Sequence, residues 1–108
     1  MLDLCSGSGV QAITALRTCP AAHLTLVDVS ERAARFAMFN LRLNGLGPER
    51  ATLLRQALGE EGEGLGSGGF DLVVANPPFV PNPAGCADCA AGALFGNGGP
   101  RGDASPGR

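Results

Sequence analysis

The sequence predicts an α/β fold, a parallel sheet of about four strands with flanking helices, and three observations carry that prediction. Apolar runs of strand length alternate with stretches of three- and four-residue helical periodicity. A glycine-rich turn joins the first strand directly to the first helix. Of 17 glycines and eight prolines, 13 and six lie from Gly59 onward. Residues 1–58 therefore read as packed alternating structure, and the remainder as loops around one apolar strand.

Leu2-Asp3-Leu4 is short for a strand but runs straight into the glycine turn. Val10, Ala12, Ile13, Ala15 and Leu16 recur at helical spacing, which predicts a helix over 9–18 closed by Cys19-Pro20. His23 to Val27 is a β-branched, apolar run ending in Asp28, the pattern of a strand buried on both faces. Ser30 is a good N-cap, and Glu31 places a negative charge in the first turn, where the helix dipole favours it. That helix continues through Phe36, Ala37, Phe39 and Leu41 to Leu43 and stops at Asn44-Gly45. Ala51 to Leu54 is a short third strand. Gly59 to Gly69 holds six glycines and three glutamates and reads as a mobile loop. Phe70 to Ala75 is the clearest strand, ended by Asn76-Pro77-Pro78. Ala84 to Leu94 is a weak helix candidate, and Pro100 to Arg108 reads as disordered. Strand and helix in this order imply right-handed crossovers and a Rossmann-like layer.

Composition excludes several classes. A net charge of −2 rules out a strongly basic nucleic-acid-coating protein, though not a local binding face. All eight cations are arginine, which removes a phosphate-binding loop that needs lysine and any Schiff-base mechanism. The longest apolar run falls well short of the ~18–20 residues that span a bilayer. Met1 is followed by Leu2-Asp3-Leu4-Cys5 and not by a basic stretch and apolar run, so no membrane and a cytoplasmic setting are expected. Cys5, Cys19, Cys86 and Cys89 are then read as thiols.

Three constellations carry chemistry. In Asp3-Leu4-Cys5-Ser6-Gly7-Ser8-Gly9 a strand feeds a Gly-x-Gly turn and a helix, a form that lets backbone approach a ligand and aim N–H groups at it. Asp28 lies 19 residues beyond Gly9 at the end of the next strand, where a carboxylate can accept two hydrogen bonds from ribose hydroxyls. Together these suit an adenosine-containing cofactor, and equally an unliganded turn. Asp3 narrows the choice: a buried carboxylate there repels a pyrophosphate and attracts a ligand carrying an ammonium and a sulfonium, the alternative being that it only caps backbone in the turn. The third constellation is Asn76-Pro77-Pro78-Phe79. A carboxamide oxygen and a neighbouring carbonyl stiffened by two prolines can accept from a planar –NH2, and Phe79 offers a flat face for stacking.

These segments, with Arg35-Phe36-Ala37-Met38-Phe39-Asn40 after Asp28, resemble class I S-adenosylmethionine-dependent N-methyltransferases of the methyltransferase small domain group. Release-factor glutamine and ribosomal RNA guanine-N2 methyltransferases belong to that group. The resemblance runs from residue 1 to about residue 102, since Gly98-Gly99-Pro100-x-Gly102 is similar to the opening of the family's next helix. It implies a partial S-adenosylmethionine-binding core over 1–99 and a disordered tail over 100–108. It also implies that Asp3, Cys5, Gly7 and Gly9 border the cofactor's methionine part, that Asp28 binds its ribose, and that Val29 packs on its adenine. Asn76 and Pro77 are implied to hold the target nitrogen, with Phe79 flanking it. The substrate is then either an RNA base or a protein glutamine, and Phe79 leans toward the RNA base by resemblance alone. A nicotinamide-binding oxidoreductase core and a non-catalytic remnant or binding module are the alternatives, and the oligomeric state is open.

The sequence departs from the family where an acidic residue usually contacts the adenine amino group: here stand Arg55-Gln56-Ala57-Leu58, of which Gln56 is a candidate substitute. The glycine- and glutamate-rich loop replaces a helix, and an N-terminal substrate-binding region and later strands are missing. The chain thus reads as a piece beginning inside strand one and ending after strand four, with the Phe70–Ala75 strand at an uncovered edge. Cys86 and Cys89 have metal-ligand spacing but half a ligand set, so no metal is expected. His23 reads as structural, Arg101-Gly102-Asp103 as coincidence, and Arg32, Arg35 and Arg42 as one solvated helical face.

Overall fold

The computed structural model of the chain describes residues 1–20, 22–57, 65 and 69–78. The chain divides into two compact units, Met1–Ala75 and Asn76–Arg108, and Asn76–Pro78 are the described residues of the second. The first unit contains β1 (Leu2–Leu4), α1 (Val10–Thr18), β2 (Leu24–Asp28), α2 (Glu31–Leu43), β3 (Ala51–Arg55) and β4 (Val73–Ala75). Its strands form one sheet in the order β3-β2-β1-β4, with every neighbouring pair parallel. This is the expected partial Rossmann-like α/β fold. The chain steps outward from β1 through β2 to β3, then returns to the far side of β1 for β4. Strand order therefore reverses beside β1, the place where parallel α/β sheets bind ligands at their carboxyl ends.

Register fixes the core. Leu24 and Leu26 of β2 pair with Ala51 and Leu53 of β3, and side chains alternate faces along each strand. Leu24 and Leu26 are fully buried against Ala12, Ile13 and Leu16 of α1 and Ala37 and Leu41 of α2, with Ala51 and Leu53 packed alongside. Asp3 pairs with Leu26, so its carboxylate enters the sheet face that the two helices cover. One aspartate in an otherwise apolar interface is the feature that the fold has to accommodate.

Each helix boundary has a local cause. The Ser30 hydroxyl accepts from the Ala33 amide at 3.3 Å, as an N-cap does. At the other end of α2, Gly45 takes φ 71° and donates to the Arg42 carbonyl, while the Leu46 amide donates to Leu41. That pair of bonds is the Schellman stop that Asn44-Gly45 predicts. Strand lengths depart slightly from expectation. Phe70–Ala75 was the expected strand, and the ladder covers Val73–Ala75, because its partner β1 is itself only Leu2–Leu4. Leu72 contributes its carbonyl to the Leu2 amide at 2.8 Å. Among the described residues β4 is an edge strand, with Val73 half-exposed. The helix expected over 84–94, the tail over 100–108, Phe79, Cys86, Cys89 and all but Leu65 and Gly69 of the 59–69 loop lie outside the described residues.

Candidate functional site

The turn between β1 and α1 is built from backbone that side chains rarely tolerate. Cys5, Gly7 and Gly9 all take positive φ, at 55°, 54° and 79°. A left-handed cysteine costs about 1–2 kcal/mol relative to ordinary backbone, so its neighbours must hold it. They do: the Ser6 amide donates to the Val27 carbonyl at 3.0 Å and the Gly9 amide to the Ser6 carbonyl at 2.8 Å. Gly9 is glycine for a second reason. A Cβ there would lie 3.1 Å from Leu26 Cδ2 and 3.4 Å from Ala37 Cβ, both inside the packed core.

Two carboxylates frame the turn. Asp28, at the end of β2, accepts from the Gly7 amide through Oδ2 and from the Ser30 amide through Oδ1, both at 2.8 Å. It thereby ties the glycine turn to the start of α2. A carboxylate has about four acceptor positions, so two backbone donors leave room for two hydroxyls. Asp3 is almost completely buried and accepts from the Ala12 amide of α1 through Oδ2 at 3.2 Å. Burial pushes its carboxyl above the ordinary carboxylate value; the Ala12 bond opposes this, and the nearby Asp28 charge adds to it. Burial, followed by the charges of Asp28 and Asp3, also raises the Cys5 thiol, so Cys5 is suited to packing and not to nucleophilic attack.

The turn leaves polar capacity unused. Among the described residues, Asp3 Oδ1 and Ser6 Oγ are buried without a hydrogen-bond partner. A buried polar atom left unpaired costs about 1–3 kcal/mol, more when charged, so each of these two atoms has capacity for a further hydrogen bond. At Gly7 a Cβ would meet nothing within 4 Å, so the turn is open on that side. A ligand with vicinal hydroxyls and positive charge fits these acceptors, and a pyrophosphate facing two carboxylates does not.

The expected residues Asp3, Cys5, Gly7, Gly9, Asp28 and Val29 thus cluster at the carboxyl ends of β1 and β2, with Val29 largely exposed. The expectation of free turn amides is only partly met, since the Gly7 and Gly9 N–H groups already have protein acceptors. Asn76 and Pro77 belong to the second unit and are exposed. Gln56 stands beside Asp28, its amide donating to the Asp28 carbonyl at 3.1 Å. Sequence reasoning assigned no role to Asn40, whose Nδ2 donates to the Ser8 carbonyl at 2.9 Å. An asparagine in the interior of a helix, where it is a poor former, was the available signal. His23 Nε2 lies 3.1 Å from Thr52 Oγ1, a contact between the residue before β2 and β3. Arg35 pairs with Glu31 at 2.6 Å on a solvated face. No cluster of three or more metal-ligating side chains occurs among the described residues, and none of their helices is long and apolar enough to cross a membrane.

Comparison with known proteins identifies the family. The chain is 42% identical over 80 residues to the ribosomal protein uL3 glutamine methyltransferase of Bradyrhizobium diazoefficiens, covering 74% of this chain and 24% of that one. It is 45% identical over 84 residues to the release factor glutamine methyltransferase of Caulobacter vibrioides, covering 75% and 27%. It is 40% identical over 81 residues to the 4-amino-L-phenylalanine/4-methylamino-L-phenylalanine methyltransferase of Streptomyces pristinaespiralis, covering 75% and 26%. The chain therefore spans about a quarter of the length of these relatives. The family model of the methyltransferase small domain matches residues 1–95, across the turn, Asp28 and Asn76-Pro77-Pro78-Phe79 alike, and the chain belongs to that methyltransferase family.

Proposed function

We propose that this chain is the cofactor-binding core of an S-adenosylmethionine-dependent N-methyltransferase acting on the side-chain amide of a protein glutamine. The observation that carries the cofactor is the pair of carboxylates at the turn, one of them buried with an unpartnered oxygen. S-adenosylmethionine supplies an electrophilic methyl on a sulfonium and brings the positive charge and ribose hydroxyls that these carboxylate acceptors suit. The amide substrate is favoured by two of the relatives, both glutamine methyltransferases. The same relatives give the RNA alternative no support, and membership of a methyltransferase family sets aside the nicotinamide reading.

The chain's own residues position the reactants. Asp3 and the backbone of Cys5, Gly7 and Gly9 border the methionine part, Asp28 accepts from the ribose, and Val29 covers the adenine. Asn76 and Pro77 provide acceptors for the two hydrogens of the planar –NH2, which turns its lone pair out of conjugation, and Phe79 flanks it. The new N–C bond forms as the S–C bond breaks, and the surplus amide proton leaves to water after transfer. Alignment of the reactants then does the catalytic task, and no strong base is needed.

Calorimetric titration of the full chain tests the cofactor reading. S-adenosylhomocysteine binds and NAD does not, and Asp28→Ala, which loses both the ribose acceptor and the Gly7 tether, no longer binds. Binding of NAD in preference to S-adenosylhomocysteine refutes the reading.

A further inference from the structure

We propose that Asn40 is a positioning residue for the glycine turn, holding the Ser8–Gly9 peptide in the orientation that the cofactor meets. The proposal rests on the cofactor reading above and adds to it a residue that touches neither cofactor nor substrate. The Ser8–Gly9 peptide is gripped at both ends. Its N–H, on Gly9, donates to the Ser6 carbonyl at 2.8 Å, and its carbonyl, on Ser8, accepts from Asn40 Nδ2 at 2.9 Å.

The first of these bonds lies within the turn and moves with it. The second reaches 32 residues along the chain and anchors the turn to α2. One helical turn before Asn40, Ala37 stands where it would meet any side chain at Gly9, with its Cβ 3.4 Å from that position. Ala37 and Asn40 share a face of α2, so one contact sets how closely the turn approaches the helix and the other sets how its peptide is rotated. The Ser8–Gly9 peptide needs this tether because glycine supplies no conformational restraint of its own. Gly9, on the N–H side of this peptide, takes φ 79°, and without a Cβ it limits the peptide's rotation less than any other residue would. Asp28 fixes the Gly7 amide from β2, and Asn40 fixes the Ser8 carbonyl from α2. The turn is thus held from two independent elements.

The test compares Asn40→Asp, which keeps the shape but replaces the donor with a repelling oxygen, and Asn40→Ala, which removes the donor and favours the helix. Two readouts are taken on the full chain: amide exchange of Gly9, and the affinity for S-adenosylhomocysteine. Gly9 exchange accelerates in both variants, while that of Gly45, at the far end of α2, stays at the wild-type rate. Affinity falls about three- to tenfold in Asn40→Ala, the size of one hydrogen bond, and further in Asn40→Asp. Unchanged Gly9 exchange in both variants overturns the proposal, and so does faster exchange with wild-type affinity. If α2 unfolds in Asn40→Asp, seen as faster Gly45 exchange, Asn40→Ala decides. A wild-type chain that binds no S-adenosylhomocysteine refutes the cofactor reading, and a Gly9 exchange rate that then stays the same in the variants refutes the role of Asn40 as well.

Discussion

The two helices begin in opposite ways. The start of α2 is self-sufficient: Ser30 caps the Ala33 amide, and Glu31 answers the dipole in the first turn. The start of α1 has no such provision. Its N-cap is Gly9 in the left-handed region, with no side-chain cap and no acidic residue in the first turn. Its Ala12 amide is served instead by Asp3 from β1, which keeps a second oxygen unpaired in the interior. A helix start that serves stability satisfies itself locally. The start of α1 instead depends on a distant carboxylate, and left-handed residues precede it, which under the proposed cofactor reading leaves polar capacity for the ligand.

The sharpest way to break the contrast is Gly9→Ala. The methyl meets Leu26 and Ala37 and the backbone stays at φ 79°, so the left-handed penalty and the overpacking together cost on the order of 2–4 kcal/mol. Chemical denaturation measures this loss, and S-adenosylhomocysteine affinity falls with it. A stability within 0.5 kcal/mol of wild type, roughly the size of a neutral surface change, shows that the turn relaxes freely. At α2, Ser30→Ala costs about 1 kcal/mol of stability, the usual worth of an N-cap, and leaves the affinity for S-adenosylhomocysteine unaltered. A matching drop in affinity there erases the distinction between the two helix starts.

The smallest effect is a pH slope. The folded Asp3 carboxyl titrates above its ordinary 3.8, so between the two values the folded chain binds more protons than the unfolded one. Stability contributed by Asp3 is therefore fully present below 3.8 and falls as pH rises through the folded value. Asp3→Asn keeps an acceptor for the Ala12 amide but cannot ionise. Its denaturation midpoint measured across that range lacks this decline, and above the range the variant is the more stable protein while binding S-adenosylhomocysteine less well. Parallel pH profiles for the two proteins count against a buried, strained carboxylate.

Much of this was legible in the residues. The alternation of apolar runs gave the strand and helix order, and Ser30 and Asn44-Gly45 bounded α2 because capping is local chemistry. Asp28 was legible from its distance to the glycine turn. The extent of β4 was not, because a strand ends where its partner ends and β1 offers only three residues. Asn40 was quoted within a family segment, yet its bond to Ser8 depends on how α2 lies over the turn.

By itself, then, the sequence determined the class of fold, the order of its elements and the presence of two carboxylates about a Gly-x-Gly turn. These follow from periodicity, capping and charge, which act over a few residues. Tertiary structure alone decided that Cys5 sits left-handed, that one oxygen of Asp3 is left unpaired, and that α2 grips the turn through Ala37 and Asn40. Each of these depends on residues far apart in the chain being brought within hydrogen-bonding or van der Waals range, and no local preference encodes that distance.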